Sequence, residues 1–548
     1  MNWTNFQTYN DAPSKAFEVL CNQLFENWCK EEYSSQIASF SIVNGAGGDG
    51  GVESFAVLTN GKIIGMQAKW FPSSIDASQI NQIKSSIKTA MKVRPQIVRY
   101  IVCIPRDLSS ITCKGKNSED SRWEKMTSDI SKEFPTLSIE LWNETRLISE
   151  LQKETSSGIY KFWFKNSEIS VENVRFSFEK SKESWLSTKY VPELNTYGEI
   201  DNTVSEFLGS PKQRNDIRLI FEKFCMLCDR FSYTAQELIS VCGENDPQLT
   251  VSLTAMEDYL TARKNEINKA LEWLNNESIY SLNIDETDFF IDLDTLILQL
   301  KESKEEFHHH FHFYEVSKAL RQLERIDIQN AIRSLMHGND KRSILFLGDP
   351  GTGKTHGVAA ETEKLLDEGL HIPILIQARD IPAEYTWKDI IISALGLSYD
   401  WSEEEIWQAF SSLSNRKRFC AINEKIRILP KINIIVDGID ESSLHQKWIE
   451  RIQETNAIIQ TYPQIRFCFT SRPYIVNPNI DYARVIRINA SGETPTYKLF
   501  SKYIKVYDIN VTNAGWIKYA LTTPLSLKLF CDINKGKTNR LYHPSLVP

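Results

Sequence analysis

One octapeptide constrains this chain more than any other. GDPGTGKT, Gly348 to Thr355, follows the apolar run Ile344–Leu347 without a gap and passes into VAAETEKLLDEGL, a stretch with helical character. An apolar strand that ends in glycines and turns into a helix N-terminus forms a cradle for phosphate, because backbone N–H groups point inward and the helix dipole favours negative charge. Lys354 is placed to neutralise the outer phosphates of a nucleotide, and the Thr355 hydroxyl to ligand Mg2+. Gly348, Pro350, Gly351, Thr352 and Gly353 supply the rest of the candidate binding loop.

Such a loop needs a carboxylate at the end of a neighbouring strand. INIIVDGIDE, Ile432 to Glu441, provides one. Asp437, at the strand end, is the candidate Mg2+ partner, and either Asp440 or Glu441, past the glycine turn, is the residue that polarises an attacking water. One strand later, FCFTSRP carries Arg472 to another strand terminus, within reach of a γ-phosphate. With SILFLG and IPILIQA, these short apolar runs predict a doubly wound sheet of buried parallel strands.

GDPGTGKT, IIVDGIDE, FTSRP and the Thr523-Pro524-Leu525 segment occur in the order found in STAND-class P-loop NTPases, and the chain resembles the NACHT-like branch of that class. The resemblance implies ATP and Mg2+ as cofactors, places Pro524 near the adenine, and makes ATP the holder of an oligomerising state instead of the fuel of a repeated motor stroke.

A second constellation lies near the N-terminus. GGDGGVE, Gly47 to Glu53, precedes a strand, an Asn60-Gly61 turn and IIGMQAK, Ile63 to Lys69, which together predict a hairpin. Period-two alternation puts Gln67 and Lys69 on one face of the second strand, with Glu53 brought alongside. Hydrolysis of a phosphodiester requires a divalent cation and a positive group that offsets developing charge, roles suited to Glu53 and Lys69. Asp49 is a further metal-ligand candidate, and Glu18, one position off the apolar stripe Phe17, Leu20, Cys21, Leu24 and Trp28, is expected to reach the same place.

This stretch looks like the Mrr-like branch of the PD-(D/E)xK nucleases, whose signature reads GxGGxD followed by QxK. Two departures stand out: Glu53 replaces the usual aspartate, and Gln67 is the neutral residue common to that branch. The resemblance implies a restriction-endonuclease-like α/β domain with Asp49 and Glu53 as metal ligands.

Across 548 residues, 63 Lys and Arg against 71 Asp and Glu give a net charge of −8, so nucleic-acid contact must be local, not a property of the whole molecule. Residues 1–165 carry 19 basic and 18 acidic side chains and form the least acidic region. Lys84, Lys88 and Lys92 repeat every fourth residue and form a candidate phosphate-tracking stripe. Ten cysteines, an N-terminus without a secretion signal and the lack of a long apolar run predict a reduced, cytoplasmic setting without membrane insertion. The cluster His308, His309, His310 and His312 lacks accompanying ligands, Cys225 and Cys228 read as core, and Arg416-Lys417-Arg418 reads as surface charge.

The expected organisation is α/β and multidomain: a nuclease domain at 1–168, a helical connector at 169–325, a P-loop NTPase domain at 326–490 and the start of a helical lid at 491–548. The whole resembles the antiviral STAND proteins, the Avs group of prokaryotic NLR-like sensors, a likeness the Tyr190–Asn195 piece shares. That resemblance implies antiphage defence in which a phage protein of terminase or portal type binds a C-terminal sensor domain beyond this chain. A homotetramer then assembles and degrades double-stranded DNA. The chain is expected to continue past Pro548. The alternatives are an NTP-driven translocating restriction enzyme, or a DNA-binding module with an inactive nuclease fold.

Overall fold

A computed structural model describes residues 3–43, 50–110, 118–165, 169–195, 198–242, 246–275, 282, 284, 311–416, 419–421, 426–442, 445–473, 481–488, 496–512, 521, 523–535 and 538–540. Asp49, His308, His309, His310, Lys417 and Arg418 lie outside the described residues. The chain divides into two compact units, one formed by residues 1–204, 341–419 and 429–548, the other by 205–340 and 420–428.

In the first unit, α1 (Pro13–Tyr33), β1 (Ile37–Ile42), β2 (Ser54–Leu58), β3 (Ile63–Ala68), α2 (Ala77–Val93), β4 (Ile97–Cys103), α3 (Glu119–Glu133), β5 (Ser138–Trp142), α4 (Glu144–Leu151) and α5 (Ser157–Phe164) follow one another. The five strands form one sheet in sequence order, antiparallel from β1 to β3 and parallel from β3 to β5. The apolar stripe of α1 is fully committed: Phe17, Leu20, Cys21, Leu24 and Trp28 are all buried. In α2, Asp76 and Gln79 close a capping box, and Ile80, Ile83, Ile87 and Met91 pack into a core with Val52 and Tyr100.

The helix α6 (Val171–Glu183) also belongs to this unit. Asn173 and Ser177 donate to the carbonyls of Leu395 (2.9 Å) and Ala394 (2.5 Å). The expected connector therefore splits. Residues 169–204 belong to the first unit, the second unit holds α8 (Pro211–Cys242), α9 (Pro247–Asn275), α10 (Phe311–Glu324) and α11 (Ile328–Asn339), and the residues of α7 (Glu199–Leu208) are divided between the two. Cys225 and Cys228 sit in the apolar core of that second unit, as their helical setting predicts.

The second sheet of the first unit comprises β6 (Ser343–Leu347), β7 (Ile372–Gln377), β8 (Ile432–Asp437), β9 (Ile465–Ser471) and β10 (Ala483–Arg487). Its order is β10-β6-β9-β8-β7, and every pairing is parallel, matching the sheet expected from the apolar runs. Every residue of β6, β8 and β9 is buried, which is why those strands read as continuous apolar runs and not as alternation. Pro373 is accommodated because β7 lies at an edge of the sheet. Around the sheet lie α12 (Lys354–Glu368), α13 (Trp387–Leu395), α14 (Glu403–Arg416) and α15 (His445–Thr461), followed by α16 (Thr496–Val506) and α17 (Pro524–Asn534). Leu194, Leu499, Phe500, Tyr503 and Leu527 share a small separate core.

Candidate functional site

The glycine loop after β6 has the backbone a phosphate cradle requires. Gly351 and Gly353 both take positive φ (78° and 94°), and α12 starts at Lys354. The Lys354 ammonium donates to the Gly348 carbonyl (2.6 Å) and the Asp349 carbonyl (3.1 Å), and its burial lowers its pKa. With a desolvated cation on a glycine loop that opens a helix, the site suits an anion of high charge.

Strand order explains how Asp437 is held. β9 lies between β6 and β8, so Thr470 on β9 donates to Asp437 Oδ1 (2.6 Å) while Thr355 donates to Oδ2 (2.8 Å). Burial raises the Asp437 pKa, and the two hydroxyls oppose that shift. Paired with a hydroxyl at the start of α12, this carboxylate is a hard-oxygen donor set that fits Mg2+.

Beyond the turn, Asp440 and Glu441 have different partners. Arg472 binds Asp440 twice, through Nε to Oδ2 (3.0 Å) and through its backbone N–H to Oδ1 (3.1 Å). Glu441 instead faces Lys189 Nζ at 3.7 Å. Pro350, Gly351, Gly353, Lys354, Thr355, Asp437, Asp440, Glu441, Arg472 and Pro524 all line one cavity of about 310 Å3. Thr352 is nearly buried and donates to the Asp349 carbonyl, and a Cβ at Gly348 would meet Thr352 Oγ1 at 2.9 Å, so these two residues shape the loop.

Sequence reasoning missed one wall of this cavity. Thr188, Lys189, Val191 and Leu194 line it from the segment after α6, with Tyr503 from α16 and Lys528 from α17. His356 Nε2 lies 3.1 Å from the Val191 carbonyl, and Tyr190 donates to Glu363 (2.5 Å). No periodic pattern marks this stretch; the resemblance of Tyr190–Asn195 to the STAND group was its one signal.

The N-terminal constellation converges in part. Glu18, Glu53 and Lys69 line a second cavity of about 500 Å3 together with Lys15, Asn22, Trp70, Asn415 and Arg416. Gln67 does not join them. It is fully buried, and its Oε1 accepts from the Tyr100 hydroxyl (3.2 Å), in the core packed beneath α2. The expectation that Glu53, Gln67 and Lys69 share one face is corrected here: β3 ends at Ala68, so strand alternation does not carry through to Lys69, and the glycine turn before β2 redirects Glu53. Gly50 and Gly51 adopt positive φ (57° and 79°), and a Cβ on Gly51 would lie 2.1 Å from the Ser86 carbonyl of α2. The turn drops Val52 into the core over Gly65, so the following residue, Glu53, emerges toward α1 and Glu18. Among the described residues no group of three or more His, Cys, Asp or Glu converges as a metal cluster. Glu18 and Glu53 are a pair of hard oxygen donors, which fits a hydrated divalent cation that keeps several waters.

Two further expectations change. Lys84 and Lys88 pair with Asp129 (2.8 Å) and Glu133 (2.6 Å) of α3, so most of the presumed phosphate-tracking stripe is spent on helix-to-helix ion pairs. Arg416 is not loose surface charge: it pairs with Asp11 (3.2 Å), donates to the Tyr9 carbonyl and stacks over the Tyr9 ring at 4.6 Å. No helix among the described residues is long and apolar enough to cross a membrane. No protein-family model matches the chain, and no curated protein matches it.

Proposed function

We propose that this chain is a nucleotide-controlled, metal-dependent DNA endonuclease: an ATP-binding switch of the STAND kind joined to a phosphodiester-cleaving domain, acting in antiphage defence. The observation that carries the reading is the convergence of Glu18, Glu53 and Lys69 on one cavity, within the same compact unit as a complete phosphate loop and its buried carboxylate.

In the N-terminal cavity, Glu18 and Glu53 would hold a divalent cation, which when bound supplies Lewis-acid stabilisation and a more acidic water. Lys69 offsets the negative charge that builds on the scissile phosphate. Its backbone is fixed by donation from its N–H to the Cys103 carbonyl (2.9 Å), next to the point where β3 ends. Apolar Trp70 and Phe71 border the same cavity and exclude part of the water.

In the nucleotide cavity, Lys354 and the loop N–H groups bind phosphate, Thr355 and Asp437 would hold Mg2+, and Pro524 with Leu525 covers the loop from the lid. Asp440 and Glu441, the two candidates for polarising water, are each engaged by a cation, Arg472 and Lys189. That arrangement suits slow turnover, as a switch requires, more than continuous cycling. Homotetramer formation after capture of a phage protein is the assembly this reading invokes, with double-stranded DNA as the substrate.

Plasmid incubated with the protein, Mg2+ and ATP, with individual viral proteins co-expressed as triggers, tests the reading. Lys69→Ala should abolish cutting while leaving assembly intact, and Lys354→Ala should abolish both. Intact plasmid that stays bound under every trigger would favour a DNA-binding module, and continuous DNA-stimulated ATP turnover would favour a translocating machine.

A further inference from the structure

We propose that Arg416, carried by a helix that packs on the nucleotide-binding sheet, is a phosphate-binding residue of the N-terminal cavity, so that the DNA site is a composite of both parts of the first unit. The inference rests on the nuclease reading above and extends it to a residue outside the nuclease-like domain.

Arg416 lies at the last position of α14, and with Asn415 it lines the cavity that holds Glu18, Glu53 and Lys69. Three contacts aim its side chain. Nε meets Asp11 Oδ2, Nη2 meets the Tyr9 carbonyl, and the guanidinium carbon lies 4.6 Å from the centre of the Tyr9 ring. A guanidinium carries five N–H donors in a rigid fork, more than these contacts consume, so the same group can be oriented by the protein and still present donors to a phosphate oxygen.

The helix that delivers it is firmly seated. The Gly158 N–H donates to Gln408 Oε1 (2.6 Å), Lys161 pairs with Glu405 (2.6 Å), and the Lys161 ammonium sits 5.1 Å above the Trp401 ring. A Cβ at Gly158 would lie 2.4 Å from the Glu405 carbonyl, so α5 and α14 meet backbone to backbone. Binding groups on such elements hold their geometry better than groups on loops.

Charge completes the argument. The cavity is lined by two carboxylates, Glu18 and Glu53, and three cations, Lys15, Lys69 and Arg416. A divalent ion on the carboxylates would leave the walls net positive even with Asp11 offsetting part of the Arg416 charge, a field that matches the successive phosphates of a nucleic-acid backbone better than any neutral ligand.

Binding of a fluorescent DNA duplex to the full chain, with Ca2+ in place of Mg2+ so that the cation position is filled while cutting is suppressed, measured by anisotropy across a KCl series, tests this. Arg416→Ala should weaken binding several-fold to about tenfold and lower the salt slope by about one. Arg416→Lys should keep the slope, and Asp11→Asn, which removes only the orienting partner, should keep it too. An Arg416→Ala slope equal to that of the wild type overturns the proposal, as does duplex binding by the wild type too weak to measure. Should Arg416→Ala fail to fold, Arg416→Gln, which keeps much of the stem, gives the same reading. Plasmid cutting by Lys69→Ala at the wild-type rate would sink the nuclease reading by itself, whatever the slope shows.

Discussion

Thr355 and Asp437 stand 82 positions apart in sequence and meet at 2.8 Å, hydroxyl to carboxylate, inside the cavity beside the glycine loop. Thr470 reaches the other oxygen of the same carboxylate from the strand between them. The relation ties the glycine loop to two strand ends, one running on to Asp440 and the other to Arg472. Thr355→Val removes a hydroxyl that donates to Asp437 and, on the proposed function, would also ligand Mg2+. It should lower Mg-ATP affinity on the order of tenfold while leaving the fold intact, as read by titration calorimetry.

Asp437 itself answers to pH. Its folded pKa is raised by burial, so the folded state binds more protons than the unfolded one above the ordinary aspartate range. Without nucleotide, its contribution therefore favours the folded state at acid pH and weakens as pH rises through the folded value. Asp437→Asn should remove that slope and, by deleting the charge that faces the Mg2+ position, also depress Mg-ATP binding. Thermal unfolding of the nucleotide-free protein across pH checks the first outcome, and calorimetry the second.

Glu361 offers a cleaner titration because it lies outside the nucleotide cavity. Burial pushes its pKa up to about 9, reinforced by Asp201, against an opposing effect from Lys364. The protonated form is the one this environment favours, although Lys364 approaches it at 3.1 Å. By the same sign, the wild type loses stability as pH rises from about 5 towards 9. Glu361→Gln imitates the neutral carboxyl and should flatten that decline, recovering on the order of 2 kcal/mol at pH 8. A pH profile as steep as that of the wild type would contradict the assignment.

Much of this arrangement was legible in the residue order, and the rest was not for identifiable reasons. Both the phosphate loop and Asp437 follow from local rules, since a glycine turn must join strand to helix and a carboxylate must end a buried strand. Glu53 and Lys69 were legible as a pair. Gln67 misled because β3 ends at Ala68, so alternation does not carry through to Lys69, while Glu53 follows the Gly50-Gly51 turn. Lys189 and Arg416 were illegible as lining residues because they enter their cavities through packing between elements far apart in sequence. Local pattern carries no record of which helix will lie against which sheet.

The seam between α5 and α14 yields a prediction of its own. Gly158→Val puts a side chain where even a Cβ would lie 2.6 Å from Gln408 Cβ, and it displaces the backbone that donates to Gln408. Overpacking of this kind costs about 1–3 kcal/mol. Hydrogen exchange should speed up in α5 and α14 while α2 and α3 keep their protection, and proteolysis should release a fragment ending near residue 165. Uniform exchange across the first unit would mean that the seam does not open independently.

The final prediction concerns the carboxylates. Glu18 and Glu53 reach one cavity from different elements, α1 and the turn before β2, and only their joint presence provides two oxygen donors for a cation. Glu53→Gln and Glu18→Gln should each lower Mg2+-supported cutting by about 10²-fold or more, because losing one anionic ligand weakens both cation affinity and its placement. Gln67→Ala is the contrast. As a buried partner of Tyr100, it should lower the stability of the N-terminal sheet by about 1–3 kcal/mol and leave the metal dependence of cutting where it was. Titrating Mg2+ against cutting rate separates the cases: the glutamate variants move to higher Mg2+ demand, and the Gln67 variant does not. A Gln67→Ala curve displaced like that of Glu53→Gln would return Gln67 to the metal site.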